Sequence, residues 1–160
     1  MYAFAPDPAH SKPDLYRELA EAAGALVAGE PDPVANMANV AALVWQFVDR
    51  LNWAGFYRMV DGGLVLGPFQ GKPACIRIPL GQGVCGAAAA RGETQLVPDV
   101  HAFAGHIACD AASRSELVVP VIRDGRVIAV IDLDSPEPAR FDSEDAAGIE
   151  LLASAIAAAI

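Results

Sequence analysis

Residues 116–135, ELVVPVIRDGRVIAVIDLDS, decide the fold. Two apolar, β-branched runs, "ELVVPVIRDG" and "VIAVIDLDS", meet at "RDGR" (Arg123 to Arg126), a typical hairpin link, so they pair antiparallel without a helical crossover. A period of two puts Asp132 and Asp134 on one face of the second run and Leu133 on the other. Glu116 opens the first run. If the two strands are neighbours, these three acids converge at one end of a sheet, where mutual repulsion raises at least one proton affinity and leaves a neutral acid at about pH 7. Solvated strand-end acids are the competing explanation of the same pattern.

Upstream of the hairpin, "WAGFYRMV", "LVLGPFQ", "ACIRIPL" and "TQLVPDV" read as four more strands, making six, and "DGG" at Asp61 to Gly63 is a second hairpin link. A short alanine-rich helix around Val84 to Arg91 interrupts them. The flanks are helical. "DLYRELAEAAGALVAG" places Leu15, Leu19, Ala22, Ala23 and Leu26 at helical spacing, with Asp14 as N-cap and Gly29 as a stop. "DPVANMANVAALVWQFVDRL" opens on Asp32 as N-cap with Pro33 at the first helical position, and carries Met37, Val40, Val44, Phe47, Val48 and Leu51 on one side. The closing "DSEDAAGIELLASAIAAAI" begins with a capping-box-like Asp142 and Asp145. This order predicts one α+β domain over 1–160: a proline-rich lead (1–13), N-terminal helices (14–51), sheet and loop (52–135), and a C-terminal helix (142–160). The central antiparallel sheet of about six strands should carry helices on its faces.

Composition narrows the function. The 160 residues are 54% hydrophobic, yet charges and glycines break every apolar run well short of a membrane span. The opening "MYAFAPDPAHSKPD" lacks the basic and apolar blocks of a secretory signal, so a cytoplasmic address is expected. A net charge of −9 has the wrong sign for a nucleic-acid partner. Three cysteines without an export signal point to buried thiols, metal ligands or redox chemistry, not to a secreted disulfide framework.

"GQGVCG" has the glycine spacing of a dinucleotide-binding fingerprint at Gly81, Gly83 and Gly86, but neither a long helix nor βαβ alternation follows it. A tight turn that needs glycine angles and close packing explains it instead. Cys75 lies just before or within a strand, Cys85 at the start of the short helix, and Cys109 in a long loop from about His101 to Ser113. Long loops in compact domains are often lids or binding loops, and a thiol in one is accessible. His101, His106 and Cys109 also raise zinc, but only His106 and Cys109 have a ligand-like spacing, and no metal site is expected. Trp53 and Tyr57 fall on one face of their strand, as two sides of an apolar slot or as ordinary core.

The element order, together with "IPLGQGVCGAAAARGETQLVPDV", resembles the GAF family of small-molecule-binding domains. More specifically, "NWAGFYRMVDGGLVLGPFQGKPACIRIPLGQGVCG", "DVHAFAGHIACDAASRSELVVPV" and "IDLDSP" together resemble the free methionine-(R)-sulfoxide reductase family, a catalytic branch of that fold. The resemblance implies that Cys109 is the nucleophile and Cys75 its usual resolving partner, with Cys85 in a secondary resolving or positioning role. It assigns Glu116, Asp132 and Asp134 to the substrate pocket, and Trp53 and Tyr57 to the methyl side of the substrate.

In the chemistry thus implied, Cys109 attacks the sulfoxide sulfur of free methionine-(R)-sulfoxide, Glu116 or Asp134 protonates the leaving oxygen, and Cys75 condenses with the resulting sulfenic acid. Thioredoxin reduces the disulfide, no cofactor is bound, and a homodimer is implied by the resemblance alone. Because two cysteines bond only when their Cα atoms come within about 7 Å, the loop bearing Cys109 is expected to shift during turnover. A non-catalytic GAF sensor, which needs the pocket but not the thiols, is the alternative reading.

Overall fold

A computed structural model of the chain describes residues 4–103, 105 and 111–160. Helices α1 (Lys12–Val27) and α2 (Pro33–Phe47) precede strands β1 (Trp53–Val60), β2 (Gly63–Gly71) and β3 (Arg77–Pro79). Helix α3 (Gly83–Arg91) leads through β4 (Gln95–Val97) and a 3-10 turn at Val100–Ala102 to β5 (Ser115–Arg123), β6 (Arg126–Ser135) and α4 (Ser143–Ile156). Among the described residues the six strands form one sheet in the order β3-β2-β1-β6-β5-β4, and every ladder in it is antiparallel. The α+β architecture expected from the sequence is the one observed.

Both hairpin links behave as read. Asp61 and Gly62 have φ of 50° and 79°, and Asp124 and Gly125 have φ of 51° and 74°, the paired positive angles of a primed turn whose twist matches the strands. Several boundaries differ from expectation. Ser11, not Asp14, caps α1, because Pro13 needs no N–H partner in the first turn and lets the helix start earlier. Helix α2 stops at Phe47 instead of reaching Leu51, since Val48 turns to an extended ψ of 116°. The expected strands over "ACIRIPL" and "TQLVPDV" shrink to three residues each. Pro79 and Pro98, which cannot donate to a ladder, sit where the pairing ends. Cys75 therefore lies in the connection before β3.

Alternation along the central strands divides the interior in two. Ala54 and Phe56 of β1, Leu117, Val119 and Val121 of β5, and Ala129, Ile131 and Leu133 of β6 face α1, α2 and α4 in the larger core. Trp53, Tyr57, Val118 and Val130 face the other way, against α3. Leu133 thus points away from the two aspartates that flank it, as its spacing required.

The larger core contains one buried ion network. Asp145 is fully buried and accepts hydrogen bonds from Tyr16 Oη (2.6 Å), Lys12 Nζ (2.7 Å) and Arg140 Nη1 (3.2 Å). It also completes the capping box of α4, where its carboxylate accepts from the Asp142 N–H at 2.8 Å. Burial, followed by this bond to Asp145, pushes the Tyr16 hydroxyl pKa far up. Gly148, one helical turn on, lets the Tyr16 ring lie against α4; a Cβ there would stand 2.1 Å from Tyr16 Cγ.

Candidate active site

The cavity on the α3 side of the sheet is built by strand register. Glu116 of β5 lies opposite Asp134 of β6, and Asp134 lies opposite Trp53 of β1, so these three form a row across adjacent strands. Two residues back along β6, Asp132 lies between Val118 and Gly55 on the same face. Trp53, Tyr57, Cys85, Glu116, Asp132 and Asp134 all line one cavity. The three acids that the spacing placed near one another do converge. Cys109 and His106 lie outside the described residues, while His101 is exposed in the 3-10 turn.

Helix α3 closes the cavity because its residues are small. Gly86 packs so tightly that a Cβ would stand 2.5 Å from the Pro79 carbonyl oxygen, and Gly81 and Gly83 adopt φ of 77° and 63°. Those glycines serve backbone angles and close approach, as the turn reading held. The close approach lowers Cys85, a buried free thiol, onto the acids. One sulfur or oxygen atom from each of Cys85, Glu116 and Asp132 lies within 4.8 Å of the other two.

The electrostatics of this cluster follow from what it lacks. Among the described residues no lysine or arginine forms an ion pair with Glu116 or Asp132. Burial, then the neighbouring Asp132 and Asp134, raises the Glu116 pKa well above the ordinary carboxyl range. Burial also raises Asp132, to about 7, against hydrogen bonds from Cys85 and Glu116 that pull it down. The two carboxyls thus share a proton in the hydrogen bond that joins Glu116 to Asp132. The Cys85 thiol is pushed up by burial and by both acids, so it stays protonated and donates to Asp132 as well. A thiol and two carboxylates are also a possible donor set for a metal ion, but coordination would have to strip protons that this burial holds in place.

Beside the acids, on the same face of the sheet, stands an aromatic wall. Trp53 stacks on Tyr57 with ring centroids 5.9 Å apart and on Phe69 at 5.2 Å. Phe69 backs Trp53 without lining the cavity, and its part in the wall was not legible in the sequence. It reaches the wall only because Gly55, its ladder partner, has no side chain; a Cβ there would stand 2.4 Å from the Phe69 Cβ. The polar ends of the wall also have work. The Trp53 indole N–H donates to the Lys72 carbonyl (3.1 Å) and the Tyr57 hydroxyl donates to the Cys75 carbonyl (3.0 Å). These bonds hang the segment bearing Cys75 over the cavity mouth. Cys75 itself is half-buried and disulfide-bonded.

The GAF domain model matches residues 35–160, which sets the class: a GAF domain whose pocket is lined by acids, a thiol and aromatic rings. The free methionine-R-sulfoxide reductase of Escherichia coli is 50% identical over 142 residues, covering 89% of this chain and 86% of that protein. The enzyme of the same name from Saccharomyces cerevisiae is 43% identical over 154 residues, covering 91% and 86%. The solved structure of free methionine-R-sulfoxide reductase from Neisseria meningitidis, in complex with its substrate, superposes with a TM-score of 0.93 at 46% identity, covering 99% of this chain and 95% of that one. The chain belongs to the free methionine-R-sulfoxide reductase family.

Proposed function

We propose that this chain reduces free methionine-(R)-sulfoxide to methionine. The observation that carries the reading is the cluster of Glu116, Asp132 and Cys85, ion-paired to no lysine or arginine among the described residues and lining one cavity with Trp53 and Tyr57, in a chain 46% identical to a reductase solved with its substrate. In this reading Trp53 and Tyr57 enclose the methyl side, with Phe69 stacked behind Trp53. Asp134 and Asp132, whose buried Oδ1 lacks a hydrogen-bond partner among the described residues, receive the substrate's ammonium. A peptide-bound methionine lacks that ammonium. Selectivity for the free amino acid follows.

The Cys109 thiolate attacks the sulfoxide sulfur to form a transient S–S bond while Glu116 gives its proton to the oxygen; the hydroxyl then passes from the substrate sulfur to Cys109 Sγ as the S–O and S–S bonds break, leaving methionine and a Cys109 sulfenic acid. Cys75 then displaces hydroxide, which leaves as water, and a Cys75–Cys109 disulfide forms. What supports this pairing is that Cys75 is disulfide-bonded while Cys85 is a free thiol, in a chain of three cysteines. Cys85 is then a positioning residue that holds Asp132. Reduced thioredoxin returns two electrons and two protons, so the cycle belongs in a reducing compartment such as the cytoplasm. Among the described residues no helix is long and apolar enough to cross a membrane.

A homodimer is part of the same reading. Val34 and Trp45, exposed on one side of α2, offer an apolar strip for it, and sedimentation measures it. The deciding assay is thioredoxin-coupled oxidation of NADPH with separate R and S sulfoxides, free and peptide-bound. Turnover is expected only with the free R form. Equal turnover of the peptide-bound form would overturn the reading.

A further inference from the structure

We propose that the rim at residues 72–80, around Cys75, is the docking surface for the protein that recycles the enzyme. Its partner is a dithiol protein whose own thiols sit in an apolar face edged with acidic residues. The inference rests on the disulfide cycle proposed above and adds where, and by what chemistry, the reductant is recognised.

The apolar part of the surface is Ile76, 69% exposed, with Leu80, 41% exposed, on the far side of β3. Single exposed aliphatic residues are common and by themselves mean little. Ile76, however, is fixed in place. Its carbonyl accepts from the Leu66 N–H at 2.9 Å, while the Cys75 and Lys72 carbonyls accept from Tyr57 and Trp53. A pinned backbone therefore presents an isoleucine to solvent directly beside a disulfide-bonded, half-buried cysteine. β3 is also the end strand of the sheet, so its outer backbone edge faces away from the ladders.

Charge gives the second argument. From Gly62 to Gly92 the sequence contains Lys72, Arg77 and Arg91 and no acidic residue, although the whole chain carries a net charge of −9. Arg77 is exposed and adjoins Ile76. Within residues 72–80 the charges are Lys72 and Arg77, and such a basic rim on an acidic protein favours the approach of an acidic partner here. It also argues against a second copy of this chain, because a two-fold interface centred here would set Arg77 against its own counterpart.

In the exchange, a thiolate of the partner attacks Cys75 Sγ, the Cys75–Cys109 bond breaks, and Cys109 departs as a thiolate ready for the next substrate. The partner's second thiol then attacks the mixed disulfide, its proton passes to Cys75, and the partner leaves as a disulfide. Two electrons have moved to this chain.

The test uses the full chain, free methionine-(R)-sulfoxide, and two reductants in parallel: reduced thioredoxin and dithiothreitol. Ile76→Asp and Arg77→Glu should each raise the KM for thioredoxin by about tenfold while leaving dithiothreitol-driven turnover within about twofold of the parent. Added salt should raise the thioredoxin KM of the parent more than that of Arg77→Glu. An unchanged thioredoxin KM in both variants, with dithiothreitol turnover intact, overturns the docking surface. So does an equal loss with both reductants, which would mark the rim as part of the fold or of a contact between copies. No dithiothreitol-driven turnover in the parent overturns the reductase reading instead.

Discussion

Asp145 and Asp132 are both buried carboxylates, one on each side of the same sheet, and they live in opposite surroundings. Asp145 has two cations, Lys12 and Arg140, and a tyrosine hydroxyl, so its charge is matched and its bonds tie α1 to α4. Asp132 has a thiol and a second acid and, among the described residues, no cation. A matched buried charge locks a structure, and removing one partner leaves the others stranded. An unmatched pair of acids keeps a proton instead, and a retained proton can be handed to a substrate. The difference separates scaffold from chemistry without reference to either residue's type.

Five measurements would break or sharpen that contrast, beginning with the largest effect. Cys109→Ser should lower sulfoxide turnover by about three orders of magnitude or more, with urea unfolding unchanged from that of the reduced parent; parental turnover would end the thiol mechanism. Asp145→Ala should cost about 3–5 kcal/mol in urea unfolding, because it strands Lys12 and Arg140, while turnover per folded molecule stays within about twofold. Glu116→Gln reverses that pattern: kcat should fall by about a hundredfold with the fold at least as stable at neutral pH. If it unfolds the chain instead, Glu116 belongs with Asp145. Gly148→Ala, which drives a methyl group into Tyr16, should destabilise by about 1–3 kcal/mol and leave kcat alone.

The smallest effect is on pH dependence. Glu116 and Asp132 hold protons to higher pH in the folded chain than in the unfolded one, so the folded state binds more protons around neutrality. A raised carboxyl pKa contributes stability at low pH that is lost as pH climbs through the folded value. The Tm should therefore fall between about pH 6 and about pH 8, and fall less in Glu116→Gln, which no longer titrates. Identical slopes for the two would place the shared proton elsewhere.

The features legible in the sequence were those fixed by local period and turn chemistry. "DGG" and "RDGR" named both hairpins, and from the second of these the meeting of Glu116 with Asp134 followed once the register was known. Trp53 and Tyr57 fell on one face for the same reason. What escaped depends on contacts distant in sequence. Phe69 enters the aromatic wall only through the space left by Gly55 on the neighbouring strand. Asp145 reads locally as a helix cap, and its burial against Tyr16 and Lys12 needs α1, some 130 residues earlier, to lie alongside α4. Ser11 as the cap of α1 was hidden by Pro13, which looks like a stop but fits the first turn of a helix.

The hydrogen bonds from Trp53 and Tyr57 to the Lys72 and Cys75 carbonyls have an implication for redesign. In the proposed cycle, the rings that gauge the size of an incoming side chain also suspend the arm that carries Cys75. Trimming Trp53 to admit a longer homologue of methionine would cut one of the two side-chain suspensions and leave the bond from the Leu66 N–H to the Ile76 carbonyl. On that reading substrate range and regeneration are mechanically joined, and a broader variant should regenerate more slowly unless the arm is anchored anew.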